Sequence, residues 1–254
     1  MPNEVQANDL LQAQKLISFI QSSPTSFHAI ETIEKELAGY TKLSEREAWH
    51  LEPGGKYYVT RNRSSIIAFT LPQGSFRAFQ LIASHSDSPT FKIKENAEVV
   101  VRDKYVQLDT ERYGGMIMSS WFDRPLSIAG RVIVKDGTGV RTVLVNLNRD
   151  RTIIPNVAIH MNREVNNGYK YNAAVDTFPL WGGPEAKNTF KAEIAKVAGV
   201  AERMCWEPIC SCTTARRATC GGWRMSTFPR PGWTTWNAPS RPWKPSRRPG
   251  RGTM

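Results

Sequence analysis

At 254 residues, with 40% apolar and 22% charged side chains, the chain has the length and composition of a globular protein with a sizeable core, not of a fibrous or disordered one. No run approaches the ~18 uncharged apolar residues that cross a bilayer, and the start MPNEVQANDLLQAQ lacks the basic-then-apolar order of a secretory signal, so the expected location is the cytoplasm. The formal charge of +11 argues against a nucleic-acid-binding body because it is concentrated: residues 1–204 carry about +3, residues 205–254 about +8, and Glu207 is the last acidic side chain.

In chain order, residues 8–20 set Leu10, Leu11, Ala13, Leu16, Ile17 and Ile20 at helical spacing, with Asn8 or Asp9 as a cap. Ser22-Ser23-Pro24-Thr25 breaks that helix. A second follows over residues 26–38, with Phe27, Ile30, Ile33 and Leu37 on one stripe and Gly39 as its stop. Residues 57–61 and 65–71 are short β-rich runs, and Pro72-Gln73-Gly74 is a turn signal. Residues 76–83, FRAFQLIA, are apolar throughout and of strand length, which predicts a buried strand in a helix-covered sheet. From Lys92 the pattern turns to strands at 98–101, 105–108, 126–134 and 142–147, with turns at 102–104 and 136–139. One more helix is expected at 191–198, stopped by Gly199. A β-rich module thus follows an α/β start, with the boundary near residue 96.

The chemistry-bearing stretch is FQLIASHSDSPTFKIK, residues 79–94. An apolar run ends in Ser84-His85-Ser86-Asp87-Ser88-Pro89, and in an open α/β sheet ligands bind at the carboxyl ends of strands. His85 offers an imidazole nitrogen to a metal, and Asp87, two residues on, can support the same site. The plainer alternative is a turn in which the two bond only locally.

Three blocks together resemble the aspartyl aminopeptidase (M18) family of zinc aminopeptidases. The first is Ser-His-Ser-Asp-Ser-Pro with Phe91-Lys92-Ile93-Lys94 after it. The second runs from Tyr113-Gly114-Gly115 through Trp121-Phe122-Asp123-Arg124-Pro125-Leu126 to Ala129-Gly130-Arg131. The third is Ile154-Pro155-Asn156-Val157-Ala158-Ile159-His160. The resemblance implies an α/β fold in which a helix-flanked mixed sheet carries the catalytic site and a β-rich dimerisation domain is inserted. It further implies two zinc ions per site and a metal-held water that attacks the first peptide bond of a substrate with a free amino terminus. On that reading His85 is a zinc ligand, and Asp87 fixes its ring and tautomer. His160 reaches a neighbouring subunit's site to polarise the scissile carbonyl, and Asp123 and Arg124 contact substrate. Dimers build a dodecamer, with no membrane and no nucleic-acid partner. Asp123 and Arg124 read equally as a structural ion pair, Trp121 as core or interface, His160 as a satisfied strand histidine, and Tyr113-Gly114-Gly115 as a turn.

A two-zinc site needs a bridging carboxylate and further Asp, Glu and His ligands, which the family carries after its β-rich insertion. Residues 205–254 hold one carboxylate side chain and no His, so the chain is expected to be an incomplete, inactive form. That tail contains all four cysteines, five of the eight Trp and seven of the sixteen Pro, and no Leu, Val or Tyr. The spacing of Cys205, Cys210, Cys212 and Cys220 does not match a zinc ribbon. A basic, Trp-bearing nucleic-acid arm or a non-catalytic oligomerisation module are the alternatives. A reading-frame shift accounts for more. Trp is always TGG and Thr always ACN, so Trp233-Thr234 must contain GAC across their junction, an Asp codon. Trp236-Asn237 likewise contains GAA, a Glu codon. Permitted codons then spell Leu-Asp-Asp-Leu-Glu-Cys across 232–238, similar to the family's bridging-aspartate run. The expected organisation is residues 1–95 as the first part of the catalytic domain, 96–204 as the β-rich insertion, and 205–254 as an out-of-frame, poorly packed tail.

Overall fold

The computed structural model describes residues 2–214, leaving aside the side chains of residues 2–7, 206 and 207. Two helices open the chain, α1 (Pro2–Ser22) and α2 (Ser26–Glu36). Pro24 cannot continue the first. The chain closes α2 with Leu37 N–H bonded to the Ile33 and Glu34 carbonyls, and turns away at Gly39, whose φ of +89° suits a residue without a Cβ.

Three strands follow: β1 (Thr41–Leu43), β2 (Lys56–Arg61) and β3 (Ser65–Thr70). β1 lies parallel to β2 and β2 antiparallel to β3, so this small sheet is mixed, as expected of the helix-flanked α/β part.

The second sheet is larger and wholly antiparallel. It is built from β4 (Thr90–Val101), β5 (Tyr105–Tyr113), β6 (Leu126–Asp136), β7 (Gly139–Asn146), β8 (Leu180–Gly182) and β9 (Cys205–Thr214), in the order β7-β6-β9-β4-β5-β8. The alternation FKIK explains its start. Phe91 and Ile93 are buried, whereas Lys92 and Lys94 face out and pair across the ladder with Glu111 at 3.2 Å and Asp109 at 2.8 Å. The tight connection from β4 to β5 uses positive φ at Arg102 (50°) and Asp103 (53°), the backbone of a primed hairpin turn.

A third helix, α3 (Phe190–Val197), packs its Phe190, Ile194 and Ala195 into the same core as Leu108, Leu126 and Trp181. Its first turn is held from β4: the Glu98 carboxylate accepts the Asn188 N–H and, at 2.7 Å, the Phe190 N–H. An acid at a helix start satisfies donors that the helix cannot.

Several expectations are corrected. Residues 76–83 form no strand; Phe79, Leu81 and Ile82 are 86–87% exposed. A strand needs a neighbour for its N–H and C=O groups, and no other strand among the described residues lies alongside this run. Residues 205–214, expected to pack poorly, instead form β9 between β6 and β4, with Cys205, Cys210 and Cys212 buried. Ile209, the cysteines and Thr213 and Thr214 suit a pleated surface, and the sheet offers two free edges to them. Residue 96, near which the domain boundary is expected, lies within β4 at a bulge between Ile93 and Glu98, and the larger sheet begins at Thr90. β1 and β8, three residues each, had no legible periodicity. Of the stretch 205–254 read as out of frame, residues 215–254 lie outside the described residues.

The two sheets are tied by the Ala-Gly-Arg segment of β6. Arg131 Nη1 donates to the Asn62 carbonyl at 2.9 Å and to Asn62 Oδ1 at 3.1 Å, and its guanidinium stacks 4.2 Å from the Phe27 ring centre on α2. Gly130 leaves room for β9: a Cβ there would meet the Ile209 carbonyl oxygen at 2.1 Å.

Candidate functional site

The loop between β3 and β4 carries His85 and Asp87, and the β4–β5 ladder brings a third group to them. In that ladder Thr90 pairs with Tyr113, so the end of β5 lies beside the segment leading into β4. The chain leaves Tyr113 through Gly114 at a φ of +77°, where any Cβ would stand 3.4 Å from Pro89 Cα. Ser86 Oγ donates to the Ser64 carbonyl at 2.9 Å and moors the loop to the β2–β3 turn.

His85 Nδ1 lies 2.7 Å from the Asp87 carbonyl oxygen and 3.1 Å from Asp87 Oδ1. Both atoms only accept hydrogen bonds, so Nδ1 carries the ring proton and donates to them. In the neutral ring Nε2 then holds the lone pair. Tyr113 donates its hydroxyl to the other carboxylate oxygen, Asp87 Oδ2, at 2.6 Å. That hydroxyl is the foremost reason the Asp87 carboxyl is held below the usual carboxylate range; partial desolvation opposes it, and His85 adds to it. In return the carboxylate raises the Tyr113 phenol, whose ionisation would set two anions face to face. The three groups border a cavity of about 880 Å³, lined also by Ser23, Trp121 and Thr213.

As a metal site this arrangement is partial. Its chemistry fits one coordination position, a neutral imidazole whose second nitrogen is fixed by a carboxylate. Among the described residues, however, no group of three or more His, Cys, Asp or Glu side chains converges on a point. The buried cysteines offer no thiolate: burial pushes the Cys210 thiol far up and the Cys212 thiol up to about 12. Cys220 lies outside the described residues.

The other candidates sit elsewhere. Asp123, at a φ of 55°, turns the chain and accepts the Asn156 N–H at 2.9 Å, while its own N–H donates to the Ile154 carbonyl at 3.0 Å. It therefore holds the third sequence block against the second. No ion pair joins it to Arg124 among the described residues, and Arg124 Nε is buried without a partner. Trp121 is core, edge-on to Phe91 with ring centres 5.4 Å apart. His160 is exposed in a turn and is not among the residues lining the cavity of His85 and Asp87. His28 is buried and bonded to Thr25 Oγ1 at 2.8 Å.

Sequence reasoning overlooked Tyr113 as a partner of Asp87. The signal was present in outline, since Tyr113 ends a strand that must pair with the strand entered from His85 and Asp87. Its register was not readable.

With this geometry in place, comparisons with known proteins identify the class. A family model described as aminopeptidase I zinc metalloprotease (M18) matches residues 19–207. The chain belongs to the M18 aminopeptidase family. It is similar to a probable M18 family aminopeptidase 2 of Clostridium acetobutylicum, with 49% identity over 181 residues, which is 69% of this chain and 42% of that relative. The chain thus spans about two-fifths of the length of this curated relative. Among solved structures it resembles the chain in the cryo-EM structure of the Ape4 and Nbr1 complex, at a TM-score of 0.79 and 31% identity over 84% of this chain and 46% of that one. The S. cerevisiae mApe1 dodecamer shares the fold at a TM-score of 0.69 and 24% identity, covering 84% of this chain and 50% of that one.

Proposed function

We propose that this chain supplies the first part of a two-zinc aminopeptidase, and that by itself it is an incomplete, inactive form. The observation that carries the reading is the pairing at His85: two acceptors hold Nδ1, which leaves Nε2 as a ligand for one zinc, and Asp87 fixes the ring. A zinc bound there would activate water and polarise a carbonyl. The remaining ligands are absent from the described residues, so one imidazole leaves the metal weakly held.

In this reading α1, α2 and the three-stranded sheet belong to the catalytic domain, and the six-stranded sheet is the dimerisation insertion, entered at Thr90. His160, exposed and not among the residues lining the His85 cavity, would serve a neighbouring subunit. Asp123 and Arg124 take the substrate side, with Asp123 also holding the segment that leads to His160. The substrates are peptides with a free amino terminus, and the assembly is a homo-oligomer in which dimers build a dodecamer, the subunit number named for mApe1.

The test is zinc titration by calorimetry on the purified 254-residue chain and on His85→Ala, with a peptidase assay on acidic and neutral amino-terminal substrates. The expectation is weak zinc uptake that His85→Ala diminishes, and no turnover. Turnover by the chain alone would overturn the claim of incompleteness. Equal zinc affinity of the two proteins would remove His85 as a ligand.

A further inference from the structure

We infer that Tyr113 is a positioning residue of the His85 site, fixing the Asp87 carboxylate in the one rotamer that faces the imidazole. The inference rests on the metal-site reading above for its purpose, but its geometry stands apart from any metal. Asp87 sits in a loop, and its side chain and that of His85 are 45% and 47% exposed, so packing alone does not hold either. A carboxylate in such a place rotates freely unless both oxygens are engaged. Here they are: Oδ1 takes the His85 Nδ1–H at 3.1 Å, and Oδ2 takes the Tyr113 hydroxyl at 2.6 Å.

The phenol, unlike the two groups it serves, is carried on regular structure. Tyr113 is the last residue of β5 and is registered opposite Thr90. Thr90 is itself pinned, its Oγ1 donating to the Cys212 carbonyl at 2.6 Å. The phenol therefore transmits the position of a sheet to a loop. Its hydroxyl has no visible structural purpose beyond this, since the ring is 46% exposed and a polar group there is at no cost in water. A strand of the β-rich sheet thereby sets, through Asp87, the geometry of a histidine that lies outside that sheet, five residues before Thr90.

The consequence is directional. With Oδ2 released, the carboxylate samples other rotamers and His85 Nδ1–H retains only the backbone carbonyl of Asp87, 2.7 Å away. The imidazole keeps a tether but loses the charged partner that makes its other nitrogen a better donor to a cation.

The experiment is solution NMR on the metal-free chain, comparing the native protein with Tyr113→Phe and with Tyr105→Phe, a control that removes a hydroxyl from the far end of the same strand. Three-bond couplings about the Asp87 Cα–Cβ bond report its rotamer, and the His85 ring proton on Nδ1 reports exchange with water. The native protein and Tyr105→Phe are expected to show one dominant Asp87 rotamer. Tyr113→Phe should show averaged couplings and several-fold faster exchange of the Nδ1 proton, with far-UV circular dichroism unchanged. Unaltered couplings and exchange in Tyr113→Phe would overturn the inference. Averaged couplings already present in the native protein would do so too. Zinc titration separates this from the metal reading: a change in rotamer with equal zinc affinity in native and His85→Ala proteins keeps the positioning role and sinks the ligand role.

Discussion

Replacing Gly130 by alanine should dislodge β9 from the sheet. A Cβ at this position would lie 2.1 Å from the Ile209 carbonyl oxygen and 2.7 Å from Cys210 Cα, both backbone atoms that cannot swing aside. A carbon–oxygen contact settles at ~3.3 Å, so β9 would have to retreat by ~1 Å. Such a shift lengthens the hydrogen bonds that join β9 to β6 around the Gly130–Cys210 pair. Overpacking of this kind costs ~1–3 kcal/mol, and each ladder bond lost adds ~1 kcal/mol. A total near ~3 kcal/mol lowers the melting temperature by ~6–12 °C in a protein of this size. The control is Gly139→Ala, where the new Cβ meets its nearest atom at 3.7 Å, an ordinary contact; it should stay within ~0.5 kcal/mol of the parent. Thermal unfolding followed by circular dichroism gives the stability, and amide exchange of β9 locates the damage. If Gly130→Ala melts with the parent and the β9 amides keep their protection, the strand does not run where the structure puts it.

Two further outcomes follow from burial. His28 is buried and its pKa is lowered chiefly by desolvation, so the unfolded chain binds its proton more readily than the folded one. The neutral ring's contribution is complete above the unfolded value of about 6.5 and is lost as pH falls toward the lower folded value. Urea midpoints measured near neutrality and in mild acid should therefore converge more for His28→Gln than for the parent; parallel slopes would contradict the burial of this ring. Leu81 stands 86% exposed, and Leu81→Gln should change the unfolding free energy by less than ~0.5 kcal/mol. A loss of ~2–5 kcal/mol in urea denaturation, typical of a buried leucine, would return residues 76–83 to a core.

Local pattern determined much of this protein. The stripes of Leu10, Leu16 and Ile17 and of Ile30 and Ile33 fixed α1 and α2, because helical periodicity is set within a few turns of the chain. The alternation of Phe91, Lys92, Ile93 and Lys94 marked the start of β4, and the His85–Asp87 pair stood out because both groups lie within one short loop. The blocks around Trp121, Gly130 and His160 were sufficient to name the family. What the sequence could not give was pairing. Whether an apolar run becomes a buried strand depends on a neighbour to bond its backbone, so FRAFQLIA lies exposed while the unpromising Cys205–Thr214 closes a six-stranded sheet. Register likewise belongs to the tertiary structure: only the alignment of β4 with β5 brings the Tyr113 hydroxyl to Asp87, because a slip of one residue would turn the phenol to the opposite face.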